Sequence, residues 1–196
     1  ERHLPPLSRH SFQTALFITL LSFLQNYFGT PFFARCFGLE YHFPTRWNLN
    51  GDPVFLSFMT IAYFATYFAV MHAGLRIVET WGSAAGVGGS ALAGRLRRVG
   101  VTFVLACALA LAETATMATP LMRGYFAYAD KGRMLTVGSL CYGTLLFLSQ
   151  LCFLRIRPGR RGDDAGGAAG AVWDALAVSM AVLAAYELYA FLLGRG

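Results

Sequence analysis

Charge is what this sequence has least of. Only 13% of its 196 residues are Asp, Glu, Lys or Arg, while 56% are hydrophobic. An ordinary soluble domain carries about 25% charged residues, so that class is excluded. Histidine is scarce as well: the 4 histidines form no H-x-x-x-H or related cluster, which leaves a di-iron desaturase or hydroxylase without ligands. Cys36, Cys107, Cys141 and Cys152 lack C-x-x-C spacing, and three of them fall inside apolar runs. They read as small hydrophobic packing residues rather than disulfides or metal ligands. No G-x-S-x-G elbow is present for acyl transfer. The G-x-G-x-x-A arrangement of Gly86, Gly88 and Ala91 has no strand before it and no βαβ unit around it, so it reads as flexible linker and a hydride-transferring enzyme is excluded. What remains is redox-neutral acid–base work on a lipid-soluble substrate, or no chemistry at all. No cofactor, metal or nucleic acid is expected.

In place of charge there are five apolar runs, at about 12–33, 53–75, 100–120, 134–154 and 171–193. A helix rises about 1.5 Å per residue and the hydrocarbon layer is about 30 Å thick, so each run is long enough to cross a bilayer. The expected fold is an all-α integral membrane protein, a single domain over 1–196 with about five transmembrane helices and flexible linkers at 82–94 and 159–170. Pro31 is expected to kink or end the first helix. Tyr41, Phe43 and Trp47, in the loop that follows, suit an interfacial aromatic belt, and the asparagines and prolines there suit a compact turn that also caps a cavity. Of the 16 basic residues, ten fall on one side when the runs alternate: Arg2, Arg9, Arg76, Arg95, Arg97, Arg98, Arg155, Arg157, Arg160 and Arg161. That side is expected to be cytoplasmic, which places the N-terminus of this chain inside. His72, in the last turn of its run, reads as a surface or capping residue. Glu1 is not preceded by an initiator methionine, and a fragment with upstream helices missing is expected. Glu1 to His10 is polar and the first apolar run is too long for a signal-peptide core.

The run from Gly100 to Pro120 carries a carboxylate, Glu113, four residues (about 6 Å) beyond its middle. An acid at that depth costs at least about 2.5 kcal/mol on insertion, and such residues face a bundle interior, pair with a neighbour or work. The structural alternative is a protonated glutamic acid bonded to a neighbouring helix. Asp174, in the first turn of the last run, is explained by the positive end of a helix dipole. Glu187, thirteen residues further on, has no such explanation. Running alternate helices in opposite directions brings Asn26 and Tyr27, Thr60 and Tyr63, Tyr142 and Glu187 to nearly the depth of Glu113. A polar layer across all five runs points to a buried pocket holding a proton donor, although Gln25, Asn26, Tyr27 and Thr30, near the end of the first run, serve equally well as glue between helices.

The run N-Y-F-G-T-P-F-F from Asn26 to Phe33, G-L-E-Y-H-F-P from Gly38 with Asn50 and Pro53 beyond it, L-A-E-T at Leu111 to Thr114, G-Y-F-A-Y-A-D at Gly124 to Asp130, V-G-S-L-C-Y at Val137 to Tyr142, and the closing W-D-A-L and F-L-L-G together resemble the cycloeucalenol cycloisomerase (cyclopropylsterol isomerase) family. The resemblance covers the chain from about Asn26 onward. It departs at Gly29 and Pro31, where a larger aromatic and a histidine are expected, and at His72, where an amide is expected. It implies a cofactor-free isomerisation of a sterol in the endoplasmic reticulum membrane, opening the 9β,19-cyclopropane ring of cycloeucalenol to give obtusifoliol. A cyclopropane is a feeble base, so the reaction needs a protonated acid in an apolar site, where burial disfavours the ionised form. Glu113 is the first candidate donor, with Glu187 or Tyr142 sharing or accepting the proton. Asn26, Tyr27, Thr60, Tyr63, Tyr125 and Asp130 are the candidate substrate-binding residues. A non-catalytic sterol-binding protein, or a transporter relaying protons through Glu113 and Glu187, is the alternative.

Overall fold

In the computed structural model residues 5–84, 90–156 and 167–194 are described. Five long helices carry the architecture: α1 His10–Phe37, α2 Val54–Ala84, α3 Ala91–Met117, α4 Lys131–Phe153 and α5 Ala168–Leu192. Within the expected linkers 82–94 and 159–170, helix continues to Ala84 and resumes at Ala91 and at Ala168. Residues 85–89 and 159–166 lie outside the described residues. The main helix contacts run in the closed order α1, α2, α3, α4, α5 and back to α1, with smaller ones from α1 and α2 across to α4.

The surface of this ring is apolar: Phe58, Val104, Met180, Leu188 and Phe191 are all exposed. The three tryptophans are exposed too, Trp81 and Trp173 at one end and Trp47 at the other, as in aromatic belts at the two faces of a bilayer. Four helices, α2 to α5, are long and apolar enough to cross a membrane. The chain is an all-α membrane helical bundle. α1 falls outside those four because its polar side chains lower its hydropathy, and those residues are turned inward: Gln13, Ser22, Gln25 and Thr30 are buried. All four cysteines are free, Cys36 and Cys141 buried. At the basic end, Arg98 pairs with Glu79 at 2.7 Å and Arg155 with Asp174 at 3.5 Å, joining α2 to α3 and α4 to α5. His72 is exposed.

Two small sheets close the opposite end. α1 stops at Gly38, whose φ of 63° is left-handed and whose N–H donates to Ala34 at 2.9 Å, an αL stop that favours glycine. A β-carbon at Gly38 would also lie 2.4 Å from that of Ala129. This close approach lets β1 (Leu39–Tyr41) pair antiparallel with β4 (Phe126–Tyr128), tying the α1–α2 connection to the α3–α4 connection. Between them β2 (Asn48–Leu49) and β3 (Asp52–Pro53) form a hairpin, turned by Asn50 and Gly51 with φ of 55° and 83°, the Asn-Gly pair that a tight hairpin prefers.

Pro31 does not end α1, which runs on to Phe37. A proline removes the bond to the carbonyl four residues earlier, here that of Tyr27. Asn50 Nδ2 donates to that oxygen at 2.7 Å, so the hairpin turn supplies the donor that the helix lacks. If so, Asn50→Asp, which keeps the turn preference but loses the donor, will lower stability by about 1–3 kcal/mol. In a Pro31→Ala background the loss will be smaller, as a double-mutant cycle on detergent-solubilised protein would measure.

Asp52 of the same hairpin is 2% exposed. Its Oδ1 has no partner, and burial raises its carboxyl from 3.8 to about 6, against a smaller opposing effect of the Ser57 hydroxyl. A raised carboxyl destabilises the fold where it must ionise: full stability is present below about 4 and is lost as pH rises through about 6, by about 3 kcal/mol. Asp52→Asn will remove this dependence. Melting curves at pH 4 and pH 7 should show the variant gaining on the parent chain only at the higher pH.

Candidate functional site

The helix ring lines a half-open cavity of about 140 Å³ under the β1–β4 sheet. All five helices reach it: Gln25, Gly29 and Phe33 from α1, Thr60 and Tyr63 from α2, Glu113 from α3, Tyr142 from α4 and Tyr186 from α5. A close contact sets its polar side. A β-carbon on Gly143 would lie 3.0 Å from the Cys107 Cα, so α3 and α4 meet backbone to backbone, as small residues allow in membrane bundles. One residue before that contact, Tyr142 comes up beside Glu113.

The hydroxyls of Tyr142 and Tyr67 approach the Glu113 carboxyl, whose Oε2 is buried without a hydrogen-bond partner. No ion pair to Glu113 is formed among the described residues. Tyr67 is held by stacking on Tyr63 at 6.2 Å and 9°, an (i, i+4) pair on one helix face. Across the α1–α2 seam Asn26 Nδ2 donates to Thr60 Oγ1 at 2.9 Å, and Thr60 donates on to the Leu56 carbonyl at 2.8 Å. From the sheet above, Tyr41 and Tyr128 complete the wall. Burial raises both phenols above their ordinary range, Tyr128 to about 12, and the nearby Asp52 adds to the rise at Tyr41. Both keep their protons at neutral pH and remain donors.

Glu113, Tyr142, Asn26, Thr60 and Tyr63 therefore share one cavity. Glu187 does not join them: its exposed carboxylate is paired with Arg35 at 3.0 Å. Tyr186 occupies the inward face of α5, and the next residue lies about 100° further around the helix. Tyr27 is exposed with its ring edge-on to Phe28 at 4.8 Å, and it contributes its carbonyl to Asn50. Tyr125 is exposed and stacked on Phe43 at 5.4 Å, part of the aromatic cluster under the loops. Asp130 caps the start of α4, accepting from the Arg133 N–H at 2.9 Å. Each of these four has a structural partner outside the cavity.

Tyr186, Tyr41 and Tyr128 were not singled out as site residues by sequence, and Gln25 was read evenly as helix glue or site contact. Gln25 carried a signal, since an amide within an apolar run invites the question asked of Glu113. The tyrosines carried none, being common wherever one end of a side chain is apolar and the other is wet. Among the described residues no group of three or more His, Cys, Asp or Glu is placed to hold a metal ion. The cavity offers a buried carboxyl, several phenols and the rings of Phe33, Phe64 and Phe126. That combination can hold a proton away from water and face a transient cation with π density.

No family model matches the chain, and no solved structure matches it. A curated protein of Arabidopsis thaliana named cycloeucalenol cycloisomerase is 27% identical over 195 residues, covering 99% of this chain. The chain spans 66% of the length of that relative. Its similarity to an isomerase thus extends over nearly all of its own length.

Proposed function

We propose that this chain is a cyclopropylsterol isomerase domain that opens the 9β,19-cyclopropane ring of a sterol by acid catalysis, with Glu113 as the proton donor. The observation that carries this reading is the Glu113 Oε2, buried in a cavity with neither a hydrogen-bond partner nor a cation paired to it among the described residues. A carboxyl group in such a place is neutralised by its own proton. The 27% identity to a cycloeucalenol cycloisomerase supports the choice of substrate.

Glu113 delivers its proton to the cyclopropane methylene. The bond from that carbon to the ring junction breaks, its electron pair forms the new C–H bond of the methyl group, and positive charge is left on the junction carbon. The adjacent carbon then loses a proton, whose C–H electron pair becomes the double bond. Tyr142 relays that proton back to the carboxylate. Protons and electrons balance within one turnover, so no cofactor enters. A cavity of about 140 Å³ is close to one of about 150 Å³ that admits benzene. It takes the reacting ring, while the rest of the lipid extends through its mouth. In the endoplasmic reticulum membrane the basic ends of α2 to α5 would face the cytosol. The alternative of a proton-coupled transporter drew on a relay between Glu113 and Glu187, and Glu187 is engaged by Arg35 away from the cavity.

Membranes containing the chain, incubated with a 9β,19-cyclopropyl sterol and no nucleotide, should form the Δ8 product. Glu113→Gln should lower the rate by at least about 100-fold while leaving insertion and melting unchanged. No Δ8 product from the parent chain would overturn the reading, and normal turnover by Glu113→Gln would remove Glu113 from the mechanism.

A further inference from the structure

Gln25 is 5% exposed, and both its Oε1 and its Nε2 are buried without a hydrogen-bond partner among the described residues. Leaving such groups unpaired is expensive; Ser149 and Ser179 are also buried without a partner among the described residues, away from the cavity, but several other polar side chains of the bundle are satisfied. Ser22 and Thr102 each donate to the carbonyl four residues back at 2.8 Å, and Asn26, the neighbour of Gln25, is paired with Thr60. Another glutamine, Gln150, is fully buried and unpaired as well, but it borders no part of the cavity. Gln25 lines the cavity that holds Glu113.

The space beside Gln25 is made by a missing side chain. A β-carbon at Gly29 would stand 3.9 Å from Gln25 Oε1 and 3.5 Å from the Tyr186 ring. The Tyr186 hydroxyl is also buried and unpartnered, and its ring is fixed by stacking on Phe32 at 4.3 Å and 7°. An amide and a phenol thus reach the same part of the cavity with their polar atoms unsatisfied among the described residues.

We propose that the Gln25 amide, with the Tyr186 hydroxyl beside it, is the anchor for an alcohol group on the lipid ligand. An amide presents one acceptor and one N–H face, and an alcohol complements both, donating to Oε1 and accepting from Nε2. A ketone satisfies only the donor, and a deoxy compound satisfies neither. Insofar as it rests on the isomerase reading, the inference fits a sterol: its 3-hydroxyl carbon and the ring junction bearing the cyclopropane lie across one six-membered ring, the size of body that the cavity takes. Gln25 is then a positioning residue that sets which carbon reaches Glu113.

Binding of three probes to the purified full chain in lipid nanodiscs tests this: a 9β,19-cyclopropyl sterol with a 3β-hydroxyl, its 3-ketone and its 3-deoxy counterpart. The parent chain should bind the alcohol at least about 10-fold more tightly than the deoxy compound, with the ketone between them. Gln25→Met, of similar shape and without the amide, should bring the three within about twofold of one another without weakening the deoxy compound; Gln25→Leu serves if Gln25→Met does not fold. Equal binding of alcohol and deoxy compound by the parent chain, failure to bind any of the three, or a ranking that survives the loss of the amide would overturn the proposal. Turnover is read separately. A Gln25-dependent ranking without Δ8 product would take down the isomerase reading and leave the alcohol anchor standing.

Discussion

A polar group inside a lipid-embedded bundle has no water to fall back on, so a partner within the protein, or a ligand in a space it borders, is worth more there than at a wet surface. That constraint orders this molecule. Ser22, Thr60 and Thr102 bond to the carbonyl one turn back, and Asn26 reaches across to Thr60. Asn50 takes up the carbonyl that Pro31 leaves open. Glu187 is drawn to Arg35 at the surface. Ser149, Ser179 and Gln150 stay buried without a partner among the described residues and away from the cavity, whereas the unsatisfied atoms of Glu113, Gln25 and Tyr186 lie on the walls of one cavity.

The cavity exists because the ring of helices is uneven. Gly143 brings α3 and α4 together until backbone approaches backbone, while Gly29 leaves α1 without a side chain where Gln25 and Tyr186 converge. The aromatic residues fill the rest of the interior. Phe17, Phe68 and Phe153 pack around one another toward the basic end, and the stacked Phe32 and Tyr186 lie on the cavity side. The β1–β4 pairing then draws two loops over the opening, so that Tyr41 and Tyr128 roof the same space. The proposed chemistry, which needs a shielded proton donor, suits a space roofed by phenols rather than by charges.

Much of this was legible before any coordinates. The five apolar runs, the acid within a span at Glu113 and the polar layer through Asn26, Thr60, Tyr63 and Tyr142 follow from helix rise, bilayer thickness and the direction of each crossing. Depth along an axis is a one-dimensional quantity, and residue counting supplies it. The angle around each helix is not recoverable that way. Glu187 stands at nearly the right depth on the wrong face, and Tyr27 sits one residue from Asn26 but points outward. Tyr125 and Asp130 belong to a loop whose course is set by its pairing with β1, a partner more than eighty residues earlier in the chain.

Composition and spacing by themselves determined that the chain is a membrane helical bundle and that a carboxyl lies within one of its spans, because the cost of exposing apolar surface or burying charge is a property of residue types. Which polar atoms end up together was decided only by tertiary structure. Helix rotation, the contact at Gly143 and the gap at Gly29 depend on how side chains on different helices interlock, and the unpartnered Gln25 amide becomes visible only when every neighbour that might have satisfied it has been placed.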